Sequence, residues 1–206
     1  DEVGKMTANN FLDIIQALGI IVASISTIYG INAWRTEMRE KREAELAEEV
    51  LVCVYECRDA IRAIRSPFVY SGEGKSREKG ELETQEQSKA LDDAYVFYER
   101  YEQRISVFNR LNSLKYRFMV LVGPESQSLF DEMNLIVKQI VFSALETAEY
   151  WSPDFESDDY VKKRKKELKR IFFEPYDHND ELGNQLEQLV GKFEFECKKL
   201  LRVKSP

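Results

Sequence analysis

The chain has 206 residues, 43% hydrophobic and 33% charged, with a formal net charge of −7. That mixture is too apolar for a disordered chain and too charged for a multi-span membrane protein, and its acidity disfavours nucleic-acid binding through the whole surface. Nine Gly and five Pro argue against a turn-rich all-β fold, three Cys cannot close a disulfide framework, and one His removes most metal-site and His-base chemistry.

Residues 1–10 read as a short tail ahead of an apolar run. From Phe11 to Trp34 there are 24 residues with one charge, Asp13. As a helix this run spans about 36 Å, enough for the roughly 30 Å hydrocarbon core of a bilayer. Phe11 at one end and Tyr29 and Trp34 at the other sit where interfacial aromatics gather. Only Lys5 precedes the run, whereas Arg35, Arg39, Lys41 and Arg42 follow it at once. The excess of basic residues places residues 1–10 outside and residues 35–206 in the cytoplasm of a single-pass protein in the cell membrane. No small-residue cleavage site follows, so a cleaved signal peptide is not expected.

At 100° per residue the run divides into two sides. Gly19, Ala23, Ser26 and Gly30 lie together and let backbones approach closely, so they are the expected contact between copies of the chain. Asp13, Gln16, Ser24 and Thr27 share that half of the helix and are candidates to line a water-filled path, with Ile20 and Ile31 as apolar constrictions. Ile14, Ile15, Leu18, Ile21, Val22, Ile25 and Ile28 form the other side. Homo-oligomerisation is therefore expected, either as a pore or as a tether.

Beyond Trp34 the helical pattern continues. Ala47, Val50, Val54, Cys57, Ile61 and Ile64 recur as an a/d seam, and Ser66-Pro67 ends the helix near Arg65. Residues 71–88 hold three Gly and almost no apolar residue. They are expected to form a mobile loop that offers little to bury, is open to proteases and is dispensable for folding. The string SGEGKS within it lacks the first Gly of a phosphate-binding loop, since Val69 stands at that position.

Periodic apolar residues then predict helices over about Lys89–Val122, Glu125–Trp151, Asp159–Phe173 and Asp180–Arg202. Gly123-Pro124, Ser152-Pro153-Asp154 and Glu174-Pro175 separate them. The expected fold is all-α: a single transmembrane helix continuing into a four- to five-helix cytoplasmic bundle.

Candidate chemistry is sparse. Cys53, Cys57 and Cys197 with His178 supply the ligand types of a zinc site, but CxxxC inside a helix is the wrong spacing and the thiols fall on core faces. Asp92-Asp93 and Asp158-Asp159 are read as acids near helix starts. The one concentrated basic run, Lys162, Lys163, Arg164, Lys165, Lys166, Lys169 and Arg170, suits anionic lipid better than nucleic acid because the chain is expected to be tethered at a membrane. No catalytic constellation, metal site or cofactor site is expected. The expected partners are other copies of the chain, membrane lipids and a cytoplasmic protein.

Three stretches, AEEVLVCVYECRDAIRAIRSP at 47–67, ALDDAYVFYERYEQR at 90–104 and KYRFMVLVG at 115–123, resemble a group of uncharacterised bacterial proteins with an N-terminal membrane helix. The resemblance covers most of residues 10–151 and implies an anchored helical domain without a catalytic motif. In architecture the chain is also similar to CRISPR-accessory membrane proteins that join an N-terminal span to a HEPN-like bundle and assemble into pores. HEPN nucleases place four to six residues between Arg and His; here seven residues separate Arg170 from His178 and Pro175 interrupts. A degenerate HEPN-like nuclease is thus the remaining enzyme alternative.

Overall fold

A computed structural model describes the backbone of residues 2–150, 158–175 and 180–202, and the side chains of residues 18–150, 158–175 and 180–201. The described residues form six α-helices and no strand, as the periodicity predicts: α1 (Glu2–Ile64), α2 (Gln85–Glu102), α3 (Ile105–Val122), α4 (Gln127–Glu149), α5 (Asp159–Phe172) and α6 (Glu181–Arg202). One turn of 3₁₀-helix, Pro124–Ser126, joins α3 to α4. Residues 1–45 form one compact unit and residues 46–206 another.

The core of the second unit follows from the seam on α1. Ala47, Val50, Cys53, Val54, Cys57, Ile61 and Ile64 have no exposed surface, and they repeat every three or four residues along one helix face. In the same unit α4 packs against α2, α3, α5 and α6. Its Phe130 meets Phe118 of α3 and Phe193 of α6 edge-on, at ring separations of 5.8 and 5.2 Å. Such pairs add about 0.5–1.5 kcal/mol each beyond the area they bury.

Helix ends are fixed by local chemistry. The Thr84 side chain accepts from the Gln87 amide to start α2, and Asp158 accepts from the Tyr160 and Val161 amides to start α5. Gly123, at φ +128°, closes α3 in a conformation that L side chains rarely adopt.

The predicted helix over 89–122 is in fact two. Neither Gly nor Pro marks the break. The Arg104 amide bonds the Tyr101 carbonyl instead of the Arg100 carbonyl, which the Arg104 guanidinium takes instead at 3.2 Å. The bundle gains a helix as a result. Asp92, read as lying near a helix start, is two turns into α2, where it pairs with Arg77 and Lys79.

The stretch 71–88 also departs from expectation: residues 85–88 are the first turn of α2, and the loop of 71–84 does bury groups. Gly74 is buried at φ +80°, where a Cβ would collide with the Asp92 carbonyl. Its amide donates to the Glu99 carboxylate at 2.6 Å. The Arg77 guanidinium holds both Glu83 oxygens at 2.7 and 2.5 Å and Asp92 at 3.0 Å. The composition hid this because charged residues that pair with each other look, one at a time, like solvated ones.

Candidate functional site

The first candidate lies on α1. Gly19, Ala23, Ser26 and Gly30 follow one another at helical spacing along one side, with Ile20, Ser24, Thr27 and Ile31 on the adjacent line. A Cβ built at Gly19 or Gly30 would meet no atom within 4 Å. Nine large side chains of this stretch are exposed, namely Leu18, Ile20, Ile21, Val22, Ile25, Ile28, Tyr29, Ile31 and Trp34. The Thr27 hydroxyl donates to the Ala23 carbonyl of its own helix at 2.8 Å, so it is satisfied without water or a partner.

Asp13 and Gln16, like the rest of residues 11–17, fall outside the residues whose side chains are described. Among the described residues no helix is long and apolar enough to cross a membrane.

The second candidate is the basic face of α5. Val161, Leu168 and Phe172 bury one side of this helix and leave the cations on the other. They are not equivalent. Arg164 forms a forked pair with Glu146 at 2.7 and 3.0 Å and lies 3.8 Å from Glu167, which raises its pKa through the hydrogen bond to Glu146. Lys162 stands 3.6 Å from Asp159. Lys163, Lys165, Lys166 and Lys169 have no acidic partner among the described residues. A shallow hollow of about 450 Å³ is lined by Lys162, Lys165, Lys166, Lys169 and Arg170 around Phe173 and Pro175. The sequence cluster is therefore partly neutralised at Arg164 and Lys162 and cationic at Lys163, Lys165, Lys166 and Lys169.

The thiols lie in the hydrophobic core. Cys53, Cys57 and Cys197 are free and fully buried, and burial pushes the Cys57 and Cys197 thiols up to about 12. Such groups carry almost no thiolate at neutral pH and act as small apolar residues. His178, the fourth member of the paper zinc set, lies outside the described residues. Among those described, no group of His, Cys, Asp and Glu is arranged to hold a metal ion.

Two arginines that the sequence reading passed over hold the second unit together. Arg65 is 2% exposed. It donates to the Arg170, Ile171 and Phe173 carbonyls at the end of α5 and to both Asp180 oxygens at 2.8 Å. Asp180 in turn accepts from the Gly183 amide at the start of α6. Burial alone would raise the Asp180 carboxyl, but the Arg65 and Gly183 hydrogen bonds outweigh it and hold the pKa below the usual value.

Arg100, 4% exposed, does the same for α1. Its guanidinium donates to the Ile64, Ser66 and Phe68 carbonyls and to Glu73 of the loop. A signal existed: each Arg continues an apolar helix face, four residues after Ile61 and three after Phe97. An ionised residue on such a face needs buried partners.

A groove of about 870 Å³ between α3, α4 and α6 has its two lysines already paired, Lys199 with Glu196 and Lys192 with Glu132. Comparison with protein-family models, with curated proteins and with solved structures finds no match.

Proposed function

We propose that the chain is a membrane-anchored helical protein that self-associates through α1, with Gly19, Ala23, Ser26 and Gly30 at the helix contact. The observation that carries this reading is the run of nine large apolar side chains between Leu18 and Trp34, each between 49% and 73% exposed. Removing them from water is worth on the order of 10 kcal/mol. A contiguous apolar surface of that size calls for lipid or other copies of the helix. Residues 11–17 extend the run toward the length a bilayer needs. The basic residues after Trp34 favour a cytoplasmic second unit.

Between a tether and a conducting pore, the tether is favoured. Thr27 is hydrogen-bonded within its own helix, and Ile20 and Ile31 interrupt the polar line with bulky apolar groups. The second unit is then a binding module for a cytoplasmic partner, and no catalysis is assigned to it.

Three measurements test the reading. Membranes washed with alkaline carbonate should retain the protein; release into the wash would remove the anchor. In nanodiscs the chain should be oligomeric, and Gly19→Leu with Ala23→Leu should lower the stoichiometry by holding backbones apart. An unchanged oligomer would move the contact to the second unit. Bilayer conductance should be absent; single-channel currents abolished by Thr27→Leu would replace the tether with a pore.

A further inference from the structure

Beside the basic hollow of α5 lies a second cavity, about 490 Å³, between α2, α4 and α5. That is within the range of small-molecule sites. Small residues on facing helices open it: Ala90 and Ala94 on α2, Ala144 and Ala148 on α4. Phe97 and Phe172, at a ring separation of 4.8 Å and edge-on, also line it. Lys165 and Lys169 line both this cavity and the hollow, so the apolar space runs into the cationic one.

We infer that this cavity binds a single-chain anionic amphiphile, with its hydrocarbon chain among the alanines and phenylalanines and its acidic head on Lys165 and Lys169. The inference concerns the second unit alone and does not depend on the membrane reading.

The lining selects the ligand class. Apart from Asp93, Thr147, Tyr150 and the two lysines, the side chains that line the cavity are Val, Ala and Phe, which suit a hydrocarbon chain better than a polar ring such as a nucleobase. The Thr147 hydroxyl is used by the Ser143 carbonyl. Charge selects the head. Lys165, Lys166 and Lys169, which have no acidic partner among the described residues, line the two spaces, and the exposed Asp93 is the one carboxylate among the described lining residues. Arg164, held by Glu146, is not among the lining residues, whereas Lys165 and Lys169 have no acidic partner among the described residues. A neutral amphiphile would forgo that attraction. A free inorganic anion would leave the apolar space unused.

Photolabelling with dodecanoate carrying a terminal diazirine tests this on the full chain, followed by digestion and mass spectrometry. Labels are expected on peptides holding Ala94 and Ala144–Ala148. Dodecanoate and dodecyl phosphate should compete; dodecanol and inorganic phosphate should not. Decanoate, two methylenes shorter, should compete roughly fifteenfold less well than dodecanoate, since each buried methylene is worth about fourfold in affinity. Lys165→Glu with Lys169→Glu should lower labelling roughly tenfold by turning attraction into repulsion. Ala90→Leu, at a half-exposed position on the cavity wall, should block the chain while leaving helical content unchanged. Labels scattered over the surface or confined to residues 18–34 would overturn the proposal. So would dodecanol competing as well as dodecanoate, inorganic phosphate competing alone, or labelling that survives the charge reversal.

Discussion

The guanidinium of Arg65 joins three parts of the sequence. It ends α5 and fixes the start of α6 through Asp180, while the Arg65 backbone carbonyl accepts from the Glu174 amide at 2.9 Å. Arg65→Met leaves three carbonyls and a carboxylate short of donors, and removing one partner of a buried pair costs about 3–5 kcal/mol. Urea denaturation should read that loss, and Arg65→Lys should recover less than half, because an ammonium cannot fork across both oxygens. The Asp180 pKa is held down in the folded state. Its contribution is therefore present above its ordinary value of 3.8 and fades as pH falls below it. In Asp180→Asn that part of the acid dependence should vanish; an unchanged acid midpoint would show that other carboxylates set it.

Elements fail and hold in different ways. The loop at 71–84 depends on Arg77, whose hydrogen bonds, with the Gly80 amide, hold the Glu83 carboxyl down to about 2 from an ordinary 4.5. Its attachment is thus complete above about pH 4.5 and is lost as pH drops toward 2. Amide hydrogen exchange in the loop should rise across that window while α4 stays protected. Glu83→Gln should show the raised exchange already at neutral pH, whereas equal protection in both proteins would mean that the ion pairs do not hold the loop. Deleting residues 71–88 removes the capped first turn of α2 and takes Glu73 from the buried Arg100, so the deletion should lower stability rather than be neutral. On α1 and α6 the thiols give an independent clock. With Cys57 and Cys197 at about 12, a thiol reagent at pH 8 should label them only at the rate of unfolding. Rapid labelling of the native protein would place them outside the core.

For the whole chain, the division at Leu46 makes a separate prediction. Residues 46–206 carry the core, so this fragment alone should unfold co-operatively and remain monomeric while the full chain associates through α1. Sedimentation of the two proteins side by side checks it. A fragment that oligomerises as the full chain does would take the contact away from Gly19, Ala23, Ser26 and Gly30.

Periodicity determined much of this molecule. A spacing of three and four residues is a property of one helix and its neighbours in sequence, so the core face of α1 from Ala47 to Ile64 was legible, as were the stops at Ser66-Pro67 and Gly123-Pro124. The burial of Cys57 and Cys197 was legible for the same reason. Composition marked α5 as basic. Only tertiary structure decided which of those cations are spent, because Glu146, the partner of Arg164, lies on another helix. It alone could reveal Arg65 as a helix cap, since Asp180 stands 115 residues away along the chain. The break at Arg104 and the cavity walled by Ala94 and Ala148 have the same origin. Each depends on which helices meet, and no local pattern encodes that meeting.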